Sequence, residues 1–130
     1  MIETKRESQR HETVVKAVMD YFGRQAWRVT AAAYEGYDEP SKVGRHEPDV
    51  IAVDTRGVVV YGEAKTGDGD IGTQHSREQY HDFSSRVMTD SGTTCPLYLC
   101  VVSGHEPELR RVLSAEGLSG KSNIHILVYG

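Results

Sequence analysis

The sequence predicts a mixed α/β domain, with helices packed on one mixed sheet in the order αβββαβαβ. Three observations predict it. Residues 5–22 carry Val15, Val18, Met19 and Phe22 at helical spacing ahead of Gly23. Residues 50–54 and 58–61 are β-branched and apolar on either side of Thr55-Arg56-Gly57. Beyond residue 72, two helical patterns alternate with two apolar strand patterns.

The first helix, residues 5–22, turns its apolar stripe toward the core and stops at Gly23. Extended back by three, the stripe reaches Glu12. An inward carboxylate needs a partner. Glu12 is therefore expected to point over the sheet, toward the acidic residues described below. The plainer alternative leaves Glu12 one turn beyond the core, in water or paired with Arg10 or Lys16. Residues 27–34 read as the first strand, with Trp27 in the core, and residues 35–47 as a loop rich in Gly, Pro and charge.

The hairpin follows. A three-residue connection ending in Gly is a type I turn closed by a left-handed glycine bulge. Pairing Asp54 with Val58 and Val53 with Val59 makes the residue numbers of each pair sum to 112. Continued along the ladder, this register sets Asp49 of Pro48-Asp49 opposite Glu63 of Glu63-Ala64-Lys65. Lys65 shares the face of Glu63, and Ala64 takes the other. Two carboxylates about 5 Å apart at an effective dielectric of about 20 repel by roughly 3 kcal/mol. A divalent cation turns that repulsion into ligation, and two carboxylates with waters and a phosphate oxygen suit Mg²⁺ or Mn²⁺. A lysine beside them can orient a water or stabilise charge on phosphate. A slip of one residue would reverse the face.

Residues 66–72 read as a flexible acidic loop. Residues 73–90 read as the second helix, capped by Thr73 or, as an alternative start, by a capping box of Ser76 and Gln79, with Tyr80, Phe83 and Val87 inward and Gln79 beside them. Residues 96–103 form a continuous apolar run, as in a central strand buried on both faces. Residues 106–116 form a third helix opened by Pro107, with Leu109, Val112 and Leu113 inward, and residues 123–129 a last strand.

Length and composition bound the answer further. A chain of 130 residues with 38% hydrophobic content is expected to be a single domain, residues 1–130, in the cytoplasm. Neither a membrane span nor a secretory leader is expected, because no apolar run approaches the ~20 residues that a span requires. Cys95 and Cys100 are expected to be reduced core thiols. The six histidines make no zinc pattern. Each reads by default as a surface or cap residue, with His75 or His81, on the helix after the motif, as a candidate phosphate contact. A net charge of −4 does not advertise nucleic-acid binding. Local clusters that could hold phosphates are Lys5, Arg6, Arg10 and His11, and Lys42, Arg45 and His46, each also readable as solvated surface charge.

These residues resemble the PD-(D/E)XK nuclease superfamily: an inward helical Glu, then Pro-Asp, then Glu-x-Lys, in the order αβββαβ. Within it the chain is most similar to the archaeal-type Holliday junction resolvases. The resemblance spans residues 5–103 and implies a restriction-endonuclease-like core with an added C-terminal helix and strand. It implies Asp49, Glu63, Lys65 and Glu12 as catalytic residues, and Asp49, Glu63, Glu12 and the carbonyl of Ala64 as ligands of Mg²⁺. Gln79 followed by Phe83 is similar to a Gln-x-x-x-Tyr element of related nucleases, with Phe in place of Tyr. Together with the basic clusters, Gln79 is assigned to nucleic-acid binding. Ser41 is similar to a small polar residue that resolvases carry before Pro-Asp. The implied activity is metal-dependent hydrolysis of DNA phosphodiesters in recombination or repair, by a homodimer on branched or duplex DNA. A restriction- or repair-type nuclease on duplexes or flaps, and a non-cleaving DNA-binding module of the same fold, are the competing expectations.

Overall fold

The computed structural model describes residues 2–130, with side chains from Arg10 onward. Eight elements follow one another: α1 (Ile2–Arg24), β1 (Arg28–Ala32), β2 (Val50–Val53), β3 (Val59–Lys65), α2 (Gln74–Ser84), β4 (Leu97–Val102), α3 (Glu106–Ala115) and β5 (Ile124–Tyr129). The strands form one five-stranded mixed sheet in the order β1-β2-β3-β4-β5. The pairs β1–β2 and β2–β3 are antiparallel, while β3–β4 and β4–β5 are parallel. The parallel pairs need crossovers, and α2 and α3 supply them. Among the described residues, no helix is long and apolar enough to cross a membrane.

The hairpin has the predicted register: Val53 pairs with Val59, Ala52 with Val60, Ile51 with Tyr61 and Val50 with Gly62. The Asp54 amide donates to the Val58 carbonyl across Gly57, whose φ is +86°. Asp54 tightens the turn by accepting from the amides of Arg56 and Val58.

Alternation along β3 separates two cores. Val60 and Ala64 join Val14, Val15, Val18 and Phe22 of α1 on one face. Tyr61 joins Tyr80 and Phe83 of α2 and Leu109 and Leu113 of α3 on the other. Gly62 is where α1 lies closest to the sheet: a Cβ there would stand 2.5 Å from Val18 Cγ1. Trp27 packs with Tyr21, Phe22 and Tyr98 on the α1 face. Both cysteines are buried free thiols.

Two expected elements differ. The second helix ends at Ser84 rather than at residue 90. Ser84 and Ser85 turn their hydroxyls back onto the His81 carbonyl, a bond that competes with helix continuation. Lys121 and Asn123 take the Ser84 carbonyl from below. Val87 is therefore not part of an inward stripe: it is 51% exposed, in a small turn where it bridges to Thr94. The 66–72 segment is held by Asp70, which accepts from the Thr66 and Gly67 amides, and Ile71 is fully buried.

Candidate functional site

Asp49, Glu63 and Lys65 meet at the end of the β2–β3 ladder, on the α2 face of the sheet. The pairing chemistry explains why the ladder opens there. Hydrogen-bonded pairs alternate with non-bonded ones, and the 54–58 pair is a bonded one. Counting along the ladder, Pro48 falls opposite Ala64 at the next such position. Proline has no N–H, so it cannot donate to the Ala64 carbonyl. The Ala64 amide turns instead to Asp49 and donates to its Oδ2 at 2.9 Å. The neighbouring 49–63 position is a non-bonded pair, in which side chains approach most closely. There the Asp49 amide donates to Glu63 Oε1 at 3.1 Å.

The cluster is buried. Asp49 is 8% exposed, Glu63 3% and Lys65 4%. Lys65 Nζ lies 3.3 Å from Glu63 Oε2 and donates to Gln79 Oε1 at 2.6 Å and to Ser76 Oγ at 2.9 Å. Ser76 in turn donates to the Asp70 carbonyl, so α2 and the 66–72 loop together fix the ammonium. Burial, and then the charge of Asp49, raise the Glu63 carboxyl well above the ordinary carboxylate range; the Lys65 charge opposes them. The site therefore resists carrying two bare negative charges, and a proton or a cation would relieve it. An open cavity of about 550 Å³ exposes the cluster between the 66–72 loop and the start of α2.

Of the predicted site residues, Asp49, Glu63, Ala64, Lys65 and Gln79 share this cavity. Glu12 does not. Its side chain is exposed and lines a separate groove with Tyr34, Tyr37 and Glu39. The physical reason is twofold. Helix α1 covers the opposite face of the sheet, and the true centre of its stripe includes Val14, which is 1% exposed. At about 100° per residue, Val14, Val15, Val18 and Phe22 centre that stripe on His11, and Glu12 stands roughly a quarter turn away.

His11 is the α1 residue that reaches the site: its Nε2 lies 3.1 Å from Asp49 Oδ2. That hydrogen bond raises the imidazole pKa against the opposing effect of burial. The sequence reading placed His11 in a phosphate-holding cluster and Ser76 in a capping box, and assigned neither to this site. The signal for Ser76 was available: Ser76 and Gln79 are three apart, hence on one helical face.

Gln79 is 5% exposed, lines the cavity and gives its carbonyl oxygen to Lys65, so it positions that lysine. Arg10 pairs with Asp68 and reaches the Thr66 carbonyl. Arg45 forms a two-pronged pair with Asp82 and lies 3.5 Å from Glu78. Lys42 and Ser41 are exposed. The side chains of Lys5 and Arg6 lie outside the described residues.

Comparison with protein-family models, curated proteins and solved structures returned no match to this chain. Among the described residues, no group of three or more His, Cys, Asp and Glu side chains is arranged to hold a metal ion. The oxygens here that could hold a cation are those of Asp49 and Glu63 and the carbonyl of Ala64. Such oxygens would suit a hard cation that keeps most of its water, as Mg²⁺ does, better than a soft metal.

Proposed function

We propose that this chain is a divalent-metal-dependent nuclease that hydrolyses DNA phosphodiesters, built on a restriction-endonuclease-like core of the PD-(D/E)XK kind. One observation carries the reading: two buried carboxylates and a buried ammonium converge where a proline interrupts strand pairing. Burying such a group of charges is costly for stability alone. A solvent-open cavity beside it gives the cost a chemical use.

Asp49, Glu63 and the Ala64 carbonyl would hold the cation. Magnesium, when bound, supplies Lewis-acid neutralisation of charge on a phosphate oxygen. The chain's own residues do the rest. Lys65, held by Gln79 and Ser76, presents an ammonium in fixed position to negative charge developing on phosphate. His11 fixes the Asp49 carboxylate. Pro48 keeps the Ala64 carbonyl out of the ladder. Four-way junctions are the first substrate to test, because the motif order is most similar to that of junction resolvases. Symmetric cutting of two strands would require a homodimer.

A second reading has an observation of its own. Among the described residues no group of three or more His, Cys, Asp and Glu side chains is arranged to hold a metal ion. A non-cleaving DNA-binding module with the same fold would need none.

One experiment separates these. The purified protein with Mg²⁺ is given four-way junction, flap, single-stranded and duplex DNA side by side, and Mg²⁺ binding is measured by calorimetry. Cleavage that Asp49→Ala, Glu63→Ala and Lys65→Ala each reduce by at least a hundredfold supports the nuclease. Mg²⁺ binding and cleavage both absent in the parent would rule it out, and would leave the binding module.

A further inference from the structure

The groups that meet at Asp49 are committed to one another. Asp49 Oδ2 takes the Ala64 amide and His11. The Glu63 oxygens face the Asp49 amide and Lys65. Asp70 closes its own loop. A proton acceptor for a hydrolytic step must come from elsewhere in the cavity, and His75 lines it. His75 is the second residue of α2, next to Ser76, and its side chain is exposed to an arriving substrate. The ring is not left loose. It stands on His46 with 4.0 Å between ring centroids, and Glu78 holds His46 through a 2.8 Å contact at Nε2.

We propose that His75 is the general base of the cleavage reaction and takes the proton of the attacking water. The inference rests on the nuclease reading above. In the step, the water oxygen forms a bond to phosphorus as its proton passes to an imidazole nitrogen of His75. The ester bond to phosphorus breaks, and its electron pair leaves on the departing oxygen, which takes a proton from bulk water. His75 then returns its proton to solvent.

The surroundings keep the imidazole in the form this role needs. Partial burial, the His46 ring and the Lys65 charge lower its pKa, and Glu78 opposes them only in part, which favours the neutral imidazole. His11, Glu47 and Asp70 face the same cavity. His11 is committed to Asp49, and a carboxylate is a weaker base than an imidazole at neutral pH.

The test compares the parent with His75→Ala, His75→Gln and His81→Ala. His81 pairs with Glu116 on the side of α2 that meets α3. Single-turnover cleavage of the best DNA substrate with Mg²⁺ is followed from pH 5 to 9, with melting curves for each variant. The parent rate should rise with pH and level off below pH 7. Both His75 variants should lose roughly 10²–10⁴-fold at the plateau, flatten the acidic limb and keep the parent melting temperature. Added imidazole should restore part of the rate in His75→Ala alone, and His81→Ala should match the parent. If His75→Ala cuts within threefold of the parent with the same acidic limb, the proton goes to another group and the inference is overturned. A parent that cuts no DNA removes the nuclease reading itself, and this inference with it.

Discussion

Gly62→Ala should destabilise the protein, although alanine is the better residue in most strands. The added Cβ would stand 2.5 Å from Val18 Cγ1 and 3.2 Å from two ring carbons of Phe22. Ordinary carbon contacts are about 3.5–4.0 Å, so the overlap with Val18 is roughly 1 Å. Neither neighbour can yield. Both are fully buried, and a helical valine is confined to essentially one rotamer. Helix α1 must then lift from the sheet. Overpacking of this size costs about 1–3 kcal/mol, offset by about 0.5–1 kcal/mol because alanine loses less backbone freedom on folding. For a domain of this length the net corresponds to a fall in Tm of up to roughly 10 °C. Circular-dichroism melts of parent and variant in one buffer measure it. Gly23→Ala is the internal contrast: it lies in α1 with nothing within 4 Å of the new Cβ, so it should gain about 1 kcal/mol. A Gly62→Ala protein that melts at or above the parent would refute the close seating of α1 on β3.

Two further outcomes follow from the structure. Glu63 binds its proton more tightly folded than unfolded, so between the ordinary value of 4.5 and the raised folded value the native state holds more protons. Stability in EDTA should therefore fall as pH rises through that window, and Glu63→Gln should remove this component of the slope and melt higher than the parent at neutral pH. A parent and variant whose melting temperatures run parallel from pH 5 to 8 would contradict it. Ala26 closes α1 with φ at +64°, a conformation that costs a residue with a Cβ about 1 kcal/mol. Ala26→Gly should raise Tm by a few degrees, and an unchanged or lower Tm would count against that backbone.

Much of the site was legible before any coordinates. Strand propensity, a Gly-terminated turn and strict alternation are local properties, and together they set Asp49 opposite Glu63 with Lys65 on the same face. The order of elements was legible too, because each helix and strand announces itself by its own period. The end of α2 was not. It depends on serine side chains returning to the backbone, and on Lys121 and Asn123, which arrive from about 37 and 39 residues further along the chain.

What the sequence by itself determined is the hairpin register, and with it the meeting of two carboxylates and an amine. What only the tertiary structure decided is which helix covers which face. Helix α1 lies against Gly62 and Ala64, across the sheet from the cluster, so His11 at the end of its stripe reaches Asp49 while Glu12 faces solvent. Helix α2 lies on the cluster's own face and brings Ser76 and Gln79 to Lys65 from 11 and 14 residues away. Period alone places a residue on a stripe. Packing decides where the centre of that stripe points, because burial depends on every apolar residue around the helix and not on the few that first reveal its spacing.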